Sequence, residues 1–389
     1  MKARGVHLQY RFDASEQRGA ALHNPLFELL SAVREHGSIQ HATKALGASY
    51  RHVWGALKRW EEALGEPLLH WRKGEPARLT AFAERLLWAE TRARTRLTPH
   101  IEALRAELER VLAEALDGDQ QLLSIWASHD LALPHLRELA AEPADGGARL
   151  HIELRFAGSV DALQALAEGR CLVAGFHVPA LPGGSAEFSR AMKPRLQPGR
   201  HKLIGCLRRR QGLMVAPGNP LRLQGLADLA RPGLRWVTRQ PGSGTRLLLD
   251  HLLAEAGLTD RLPDAVPVMQ EDSHVAVAAA VASGSADAGP GIAAAAQQFG
   301  LDFLPLIDED YYLVCLKDAL EHPAVLRLRQ LLAGEDWARL LGRADLPGYA
   351  PAAQPGAVLS LTQALPWWHF RQAKKAAGPQ AEPAPSSTA

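Results

Sequence analysis

The chain has 389 residues, 47% of them hydrophobic and 22% charged, with a formal charge of +2 and a pI near 8.5. That composition excludes a disordered chain and a small disulfide-stapled fold, and the length leaves room for two or three domains. A near-neutral balance decides nothing about partners, because a basic face can coexist with a neutral remainder.

Val6, Leu8, Tyr10 and Phe12 alternate with polar neighbours, which predicts a short strand ahead of the first domain. From Leu26 to Thr80 the chain reads as helix, helix, tight turn, helix and basic wing. Ser38 is placed to cap the first helix of the motif, Gly47 tolerates the positive φ of a sharp turn, and Ser49 caps the next helix. Ala42, Leu46, Val53 and Leu57 are expected on one buried face. The second helix of the motif, about Tyr50 to Leu64, carries Tyr50, Arg51, His52 and Lys58 where they need not be buried. In a helix-turn-helix the N-terminal residues of that helix reach base edges in the major groove. Ser49, Tyr50, Arg51, His52 and Lys58 are therefore candidate DNA contacts, Arg51 foremost. After Gly65, Pro67 to Trp71 turns through Arg72-Lys73-Gly74-Glu75 and returns through Ala77 to Thr80, a hairpin whose tip, Arg72 and Lys73, reaches phosphate. Residues 1–80 hold 12 Lys and Arg against 8 Asp and Glu, so the order of elements carries this reading more than charge does.

Asn24-Pro25-Leu26-Phe27-Glu28-Leu29-Leu30, Gly37-Ser38-Ile39, Leu46-Gly47, Ser49-Tyr50-Arg51 and Gly65-Glu66-Pro67-Leu68 resemble the N-terminal domain of the molybdate-responsive repressors. They are also similar to the broader LysR-type regulators. The likeness covers about residues 24–80 and implies a palindromic double-stranded DNA operator bound by a dimer.

From about Phe82 to Leu116, Leu86, Ala93, Leu97, Ile101, Leu104, Leu108, Val111 and Ala115 form an apolar stripe. A helix that long needs a partner, and a second copy is the economical one, which predicts a homodimer, with a tetramer left open. Pro99 leaves two helices, a kink or one straight rod open.

From Gln121 strands alternate with helices, the signature of an α/β domain with a largely parallel sheet. Strands are expected at 122–127, 152–156, 172–176, 202–207, 213–216, 235–238, 286–289 and 311–316. Cys171, Cys206 and Cys315 lie in apolar runs resembling strands and lack metal-ligand spacing, which predicts buried free thiols in a reducing compartment. The start of the chain has no apolar signal core, and no segment approaches the roughly 18 apolar residues that cross a bilayer. A cytoplasmic protein with no membrane contact, no metal and no cofactor is expected.

Three strand-to-helix junctions carry small hydroxyl or glycine residues: Ser128-His129-Asp130, Gly158-Ser159-Val160 and Gly242-Ser243-Gly244-Thr245-Arg246. Helix N-termini offer unpaired N–H groups and partial positive charge, so several in one cleft make an anion site. Gly-Ser-Gly-Thr-Arg lacks the Gly-Lys-Ser/Thr ending of a nucleotide loop. A fourth junction, Glu271-Asp272-Ser273-His274, leaves His274 either on the ligand or capping its own helix. Asp287 is read as closing a hinge between lobes.

Gln240 to Arg246, Gly284 with Ala286 to Gly289, and Asp310 to Val314 resemble the periplasmic-binding-protein-like domains similar to molybdate receptors, over roughly residues 121–345. The resemblance implies two lobes with ligand between them, hydroxyls of Ser128 and Ser159 on an oxyanion, and second-lobe donors at Ser243, Gly244, Thr245 and Arg246. Asp272 near the cleft leaves the effector open among molybdate, tungstate, sulfate and a small carboxylate such as formate.

The expected protein is multi-domain: a winged helix-turn-helix (1–80), a linker and dimerisation helix (81–118), a two-lobed α/β type-2 periplasmic-binding-protein-like effector domain (119–350), and an extension (351–389) disordered from about Ala373. It reads as a one-component transcriptional regulator sensing a small anion, not an enzyme. The alternative is a molybdenum-cofactor-related enzyme or assembly protein, against which no nucleophile paired with a base is legible.

Overall fold

A computed structural model of the protein describes residues 24–70, 76–116, 121–141, 150–181, 184–259 and 269–368. The expected strand at 6–12, the wing-tip residues Arg72 and Lys73, and the tail from Ala373 lie outside the described residues. The chain forms two compact units, Met1–Arg105 and Ala106–Ala389.

The first unit is built by its caps. Helix α1 (Pro25–His36) ends at Gly37 in the left-handed region, and α2 (Ile39–Ala45) starts at Ser38, whose Oγ accepts from His41 N at 3.4 Å. Gly47, at φ 61°, turns the chain into α3 (Tyr50–Leu64), whose cap Ser49 accepts from His52 N at 3.2 Å. Leu30, Val33, Ala42, Val53 and Leu57 are fully buried, and each large side chain among them stabilises the unit by about 1.5–3 kcal/mol. Leu46 is a correction: it is exposed on the turn, because α2 ends before it. Strands β1 (Leu69–His70) and β2 (Arg78–Leu79) pair antiparallel as the base of the wing. Glu61 Oε1 accepts from Leu68 N at 2.8 Å and so ties the wing's entry to α3.

Helix α4 spans Ala81–Leu116 and is continuous through Pro99, so that proline does not divide it into two helices. Leu104 and Val111 on it are about half exposed.

In the second unit, β3 (Gln121–Ser128) pairs parallel with β4 (Leu150–Ala157) and β5 (Val173–Pro179), flanked by α5 (His135–Ala141) and α6 (Ser159–Ala167). Helix α7 (Ala186–Met192) follows. The strands expected at 202–207 and 213–216 are one strand, β6 (His201–Val215), because nothing between them breaks extended structure. Beyond β6 lie β7 (Val237–Arg239), α8 (Gly244–Glu255), β8 (Met269–Glu271), α9 (His274–Ala282), β9 (Ala288–Ile292) and α10 (Ala293–Gln298). The chain returns along β10 (Asp302–Leu316), antiparallel to β6 from Asp302↔Val215 to Leu316↔His201.

The C-terminal half of β10 pairs with β5, and that of β6 with β9, so these two long strands connect the lobes. The sheet is therefore parallel only in its β3–β5 part; the connecting strands are antiparallel because the chain crosses between lobes once in each direction. Helices α11 (Pro323–Ala333) and α12 (Glu335–Leu341) close the first lobe against β3 and α5. The three cysteines are buried and free, Cys206 in β6 and Cys315 in β10, while Cys171 precedes β5. Asp287 is not a hinge between lobes: its carboxylate takes Arg235 N at 2.9 Å and Nη2 at 2.6 Å, joining β7 to β9 within the second lobe. Among the described residues no helix is long and apolar enough to cross a membrane.

Candidate DNA-reading helix and effector cleft

The N-terminus of α3 stands in solvent. Ser49, Tyr50, Arg51, His52 and Lys58 are all exposed, while Val53 and Leu57 one turn apart hold the opposite face in the core. Tyr50 stacks on Trp54, ring centroids 6.3 Å apart and planes within 7°, which stiffens the exposed turn. Lys58 is held: its Nζ lies 2.7 Å from Glu61 Oε2 and 5.0 Å from the Trp54 ring centre. Arg51 and His52 are the freer groups for a polyanion.

The second site lies where β6 and β10 cross between the lobes. Arg208, Arg209 and Arg210 oppose Asp310, Glu309 and Asp308 in register. Strand alternation turns the outer two pairs to solvent and the middle pair inward. Arg209 is fully buried, with Nε 2.6 Å from Glu309 Oε1 and Nη1 2.7 Å from Asp130 Oδ2. Burial opposes its charge, but Glu309 and Asp130 hold the guanidinium well above its ordinary pKa. Asp130 also accepts from Tyr349 Oη at 2.8 Å and from Ala132 N at 2.7 Å.

Around this pair the predicted junctions meet. Gly158 at the start of α6 lies against the loop before α8: Val160 N reaches the Gly242 carbonyl at 3.5 Å, and a Cβ on Gly158 would stand 3.1 Å from that oxygen. Gly244 lies on the His177 ring, and His129 stands 6.3 Å from His274 between ring centroids. The N-termini of α6, α8 and α9 thus face one cleft.

The predicted residues play different parts there. Ser128 Oγ donates to Tyr311 Oη at 3.0 Å and lies 3.2 Å from His177 Nδ1, so it is occupied within the protein. Ser159 is buried at the first turn of α6 with its Oγ unpartnered. Ser243 caps α8, accepting from Arg246 N at 3.2 Å, and Thr245 Oγ1 accepts from Gln211 Nε2 at 2.9 Å. Arg246 Nε is spent on Asp250, 2.8 Å away on the same helix, and that side chain is partly exposed. The buried cation of the second lobe is instead Arg239 at the end of β7. Its Nε and Nη2 donate to the carbonyls of Glu271 and Asp272, and its Nη1 is buried without a partner. Ser273 caps α9, accepting from Ala276 N at 3.1 Å, so His274 is not the cap; its ring is buried and Nδ1 unpartnered.

Burial and then the Arg239 and Arg209 charges draw His129 down to about 3 and leave His274 well below the ordinary imidazole range. His177 is lowered likewise, by burial and then Arg209. Burial and the nearby Arg209 bring Arg239 itself to about 10, against the pull of Asp272, Glu309 and Glu271. Ser128 beside His177 does place a nucleophile next to an imidazole, which the sequence did not reveal. It is not an activated pair: Arg209 Nη2 donates to the same Nδ1 at 3.3 Å, so that nitrogen is an acceptor already in use. Arg209, Arg239, His177, Gln211 and Glu309 escaped the sequence reading; charged residues inside otherwise apolar strands were the available signal.

Residues 26–84 match the family described as bacterial regulatory helix-turn-helix protein, lysR family, and residues 140–333 match the PBP superfamily domain. In domain make-up the chain is thus a LysR-type helix-turn-helix joined to a PBP-like domain. The uncharacterized protein YvgK of Bacillus subtilis (strain 168) is 34% identical over 196 residues, 50% of this chain and 61% of that protein, so the chain spans less than two thirds of that relative's length. Among solved structures, an OxyR mutant of Corynebacterium glutamicum is 17% identical with a TM-score of 0.39, covering 84% of this chain and 92% of the other. Full-length BenM is 17% identical with a TM-score of 0.39, covering 83% and 98%. CbnR complexed with its target DNA has the same identity, 17%, and the same TM-score, 0.39, covering 79% and 97%.

Proposed function

We propose that the protein is a one-component transcriptional regulator that binds operator DNA through α3 and the wing, and whose interlobe cleft binds a small anion. The observation that carries the second half is the set of unspent donors buried between the lobes: Arg239 Nη1 and Ser159 Oγ, beside three helix N-termini. Molybdate, tungstate, sulfate and a small carboxylate such as formate are the class considered. Binding that draws the lobes together changes the geometry of a DNA-bound dimer, the coupling a regulator needs. Operator binding places the working protein in the cytoplasm.

Two measurements on the full chain test this. A thermal-melt screen against those anions is expected to raise the melting temperature with at least one, since a ligand of the folded form alone stabilises it. Fluorescence anisotropy with DNA from upstream of its own gene is expected to show salt-dependent binding that Arg51→Ala removes while the melt response persists. Equal loss of both responses in Arg51→Ala would mean an unfolded variant, and DNA binding unaltered by that change would sink the role of α3.

A further inference from the structure

The cleft's buried polar atoms are of two kinds, and that restricts what fits. On the donor side are Arg239 Nη1, Ser159 Oγ and His177 Nε2, which carries its ring's proton because Nδ1 accepts from Arg209. On the acceptor side Glu309 Oε2 and Asp272 Oδ1 are also buried and unpartnered. Within the protein Glu309 Oε2 has no donor in reach: Arg209 and Gln211 both give to Oε1, and His177 Nε2 stands 3.6 Å away, beyond a hydrogen bond. Charge points the same way. Arg209 and Arg239 are two guanidinium groups among the carboxyl groups of Asp130, Glu271, Asp272 and Glu309, and Asp130 and Glu309 already occupy Arg209.

A bare dianion would add negative charge to this cluster, offering only acceptors and leaving both oxygens stranded. A simple cation would leave Arg239 Nη1 and Ser159 stranded.

We infer that the effector is a small ampholyte: an acid whose anionic group meets Arg239 and Ser159 and which also carries a hydroxyl or ammonium donor for Glu309 and Asp272. The inference rests on the cleft being the effector site proposed above. It narrows the candidates to hydroxy and amino acids and away from molybdate and sulfate.

Isothermal titration calorimetry of the full-length protein with acetate, glycolate, glycine, sulfate and molybdate tests it. Acetate, glycolate and glycine share a carboxylate and a carbon count and differ in the donor. Glycolate or glycine is expected to bind at least roughly tenfold tighter than acetate, the factor that follows from leaving a buried acceptor unmet. Glu309→Gln is expected to erase that preference. Because Glu309 also holds Arg209, Asp272→Asn serves as the second variant, expected to narrow the preference between the donor-bearing acids and acetate. Equal affinity for all three carboxylates, a preference for sulfate or molybdate, or a preference untouched by both variants overturns the inference and leaves the anion reading standing. No heat from any of the five overturns both.

Discussion

Gly244 of the second lobe lies directly on the imidazole of His177 of the first: a Cβ added at Gly244 would stand 2.6 Å from His177 Cε1 and closer still to Nε2. The ring cannot step aside freely, because its Nδ1 is held by Arg209 Nη2 at 3.3 Å and lies 3.2 Å from Ser128 Oγ. Glycine at this position is therefore needed for lobe contact, not for an unusual backbone angle.

Gly244→Ala is accordingly expected to disfavour the arrangement with the lobes in contact by about 1–3 kcal/mol, the usual cost of forcing a methyl group into a packed site. Small-angle scattering should show a larger radius of gyration for the variant, and its effector-induced rise in melting temperature should shrink. Scattering and melting indistinguishable from the parent protein would mean that His177 rotates away at little cost.

The pH dependence of stability follows from the buried imidazoles. His177 and His274 lie well below the ordinary imidazole value of 6.5 in the folded chain, through burial and then the nearby arginines. Below pH 6.5 the unfolded chain takes up protons at these sites that the folded chain refuses. Their contribution is thus present above about pH 6.5 and is lost as pH falls, at ~1.4 kcal/mol per pH unit for each fully buried ring. Urea unfolding at pH 7 and pH 5.5 checks this, and His274→Gln should flatten the slope by one ring's share. A slope unchanged in that variant would place the proton uptake elsewhere.

Arg246 and Arg239, both in the second lobe, differ in what their side chains have left to give a ligand. Arg246 drew attention because it follows Gly-Ser-Gly-Thr, yet its Nε sits 2.8 Å from Asp250 at the helix surface. Arg239 is buried and has Nη1 to spare. Arg239→Met should weaken effector binding roughly 10- to 100-fold, the worth of a charge-assisted hydrogen bond, whereas Arg246→Met should change it by less than about threefold. Calorimetry with the best-binding anion decides, and the reverse ranking would restore Arg246 to the cleft.

That contrast also marks how far the sequence could be read. Caps and turns announce themselves locally, so Ser38, Gly47, Ser49, Ser243 and Ser273 stand where their neighbours in sequence require. The junctions of α6, α8 and α9 were legible for the same reason. The floor of the cleft was not, because its pairs join residues far apart in the chain: Arg209 with Glu309, Asp130 with Tyr349, Ser128 with Tyr311. Only the register between β6 and β10 brings those together, and a 15-residue strand alternating through three consecutive arginines looks from sequence like two short strands around a charged loop. Leu46 misled in the opposite direction, since its apolar character fitted the helix face but the helix had already ended.

The long helix supports the last expectation. Leu104 and Val111 are seven residues apart on one face of α4, and each is about half exposed although both are large and apolar. A face of this kind is stable in water once covered, and a heptad spacing is what a second copy of the same helix covers best. Replacing both with aspartate sets like charges against each other across such a seam without touching the packed cores of either unit. Light scattering behind size exclusion should then show the parent protein at twice the chain mass of 42.2 kDa or a higher multiple, and the double variant at the chain mass. Operator affinity should fall with it, because two recognition helices joined in one particle bind a palindrome at an effective concentration that separate chains do not reach. A parent protein that elutes at the chain mass would assign this face to some other partner and leave the operator to be read by a single α3.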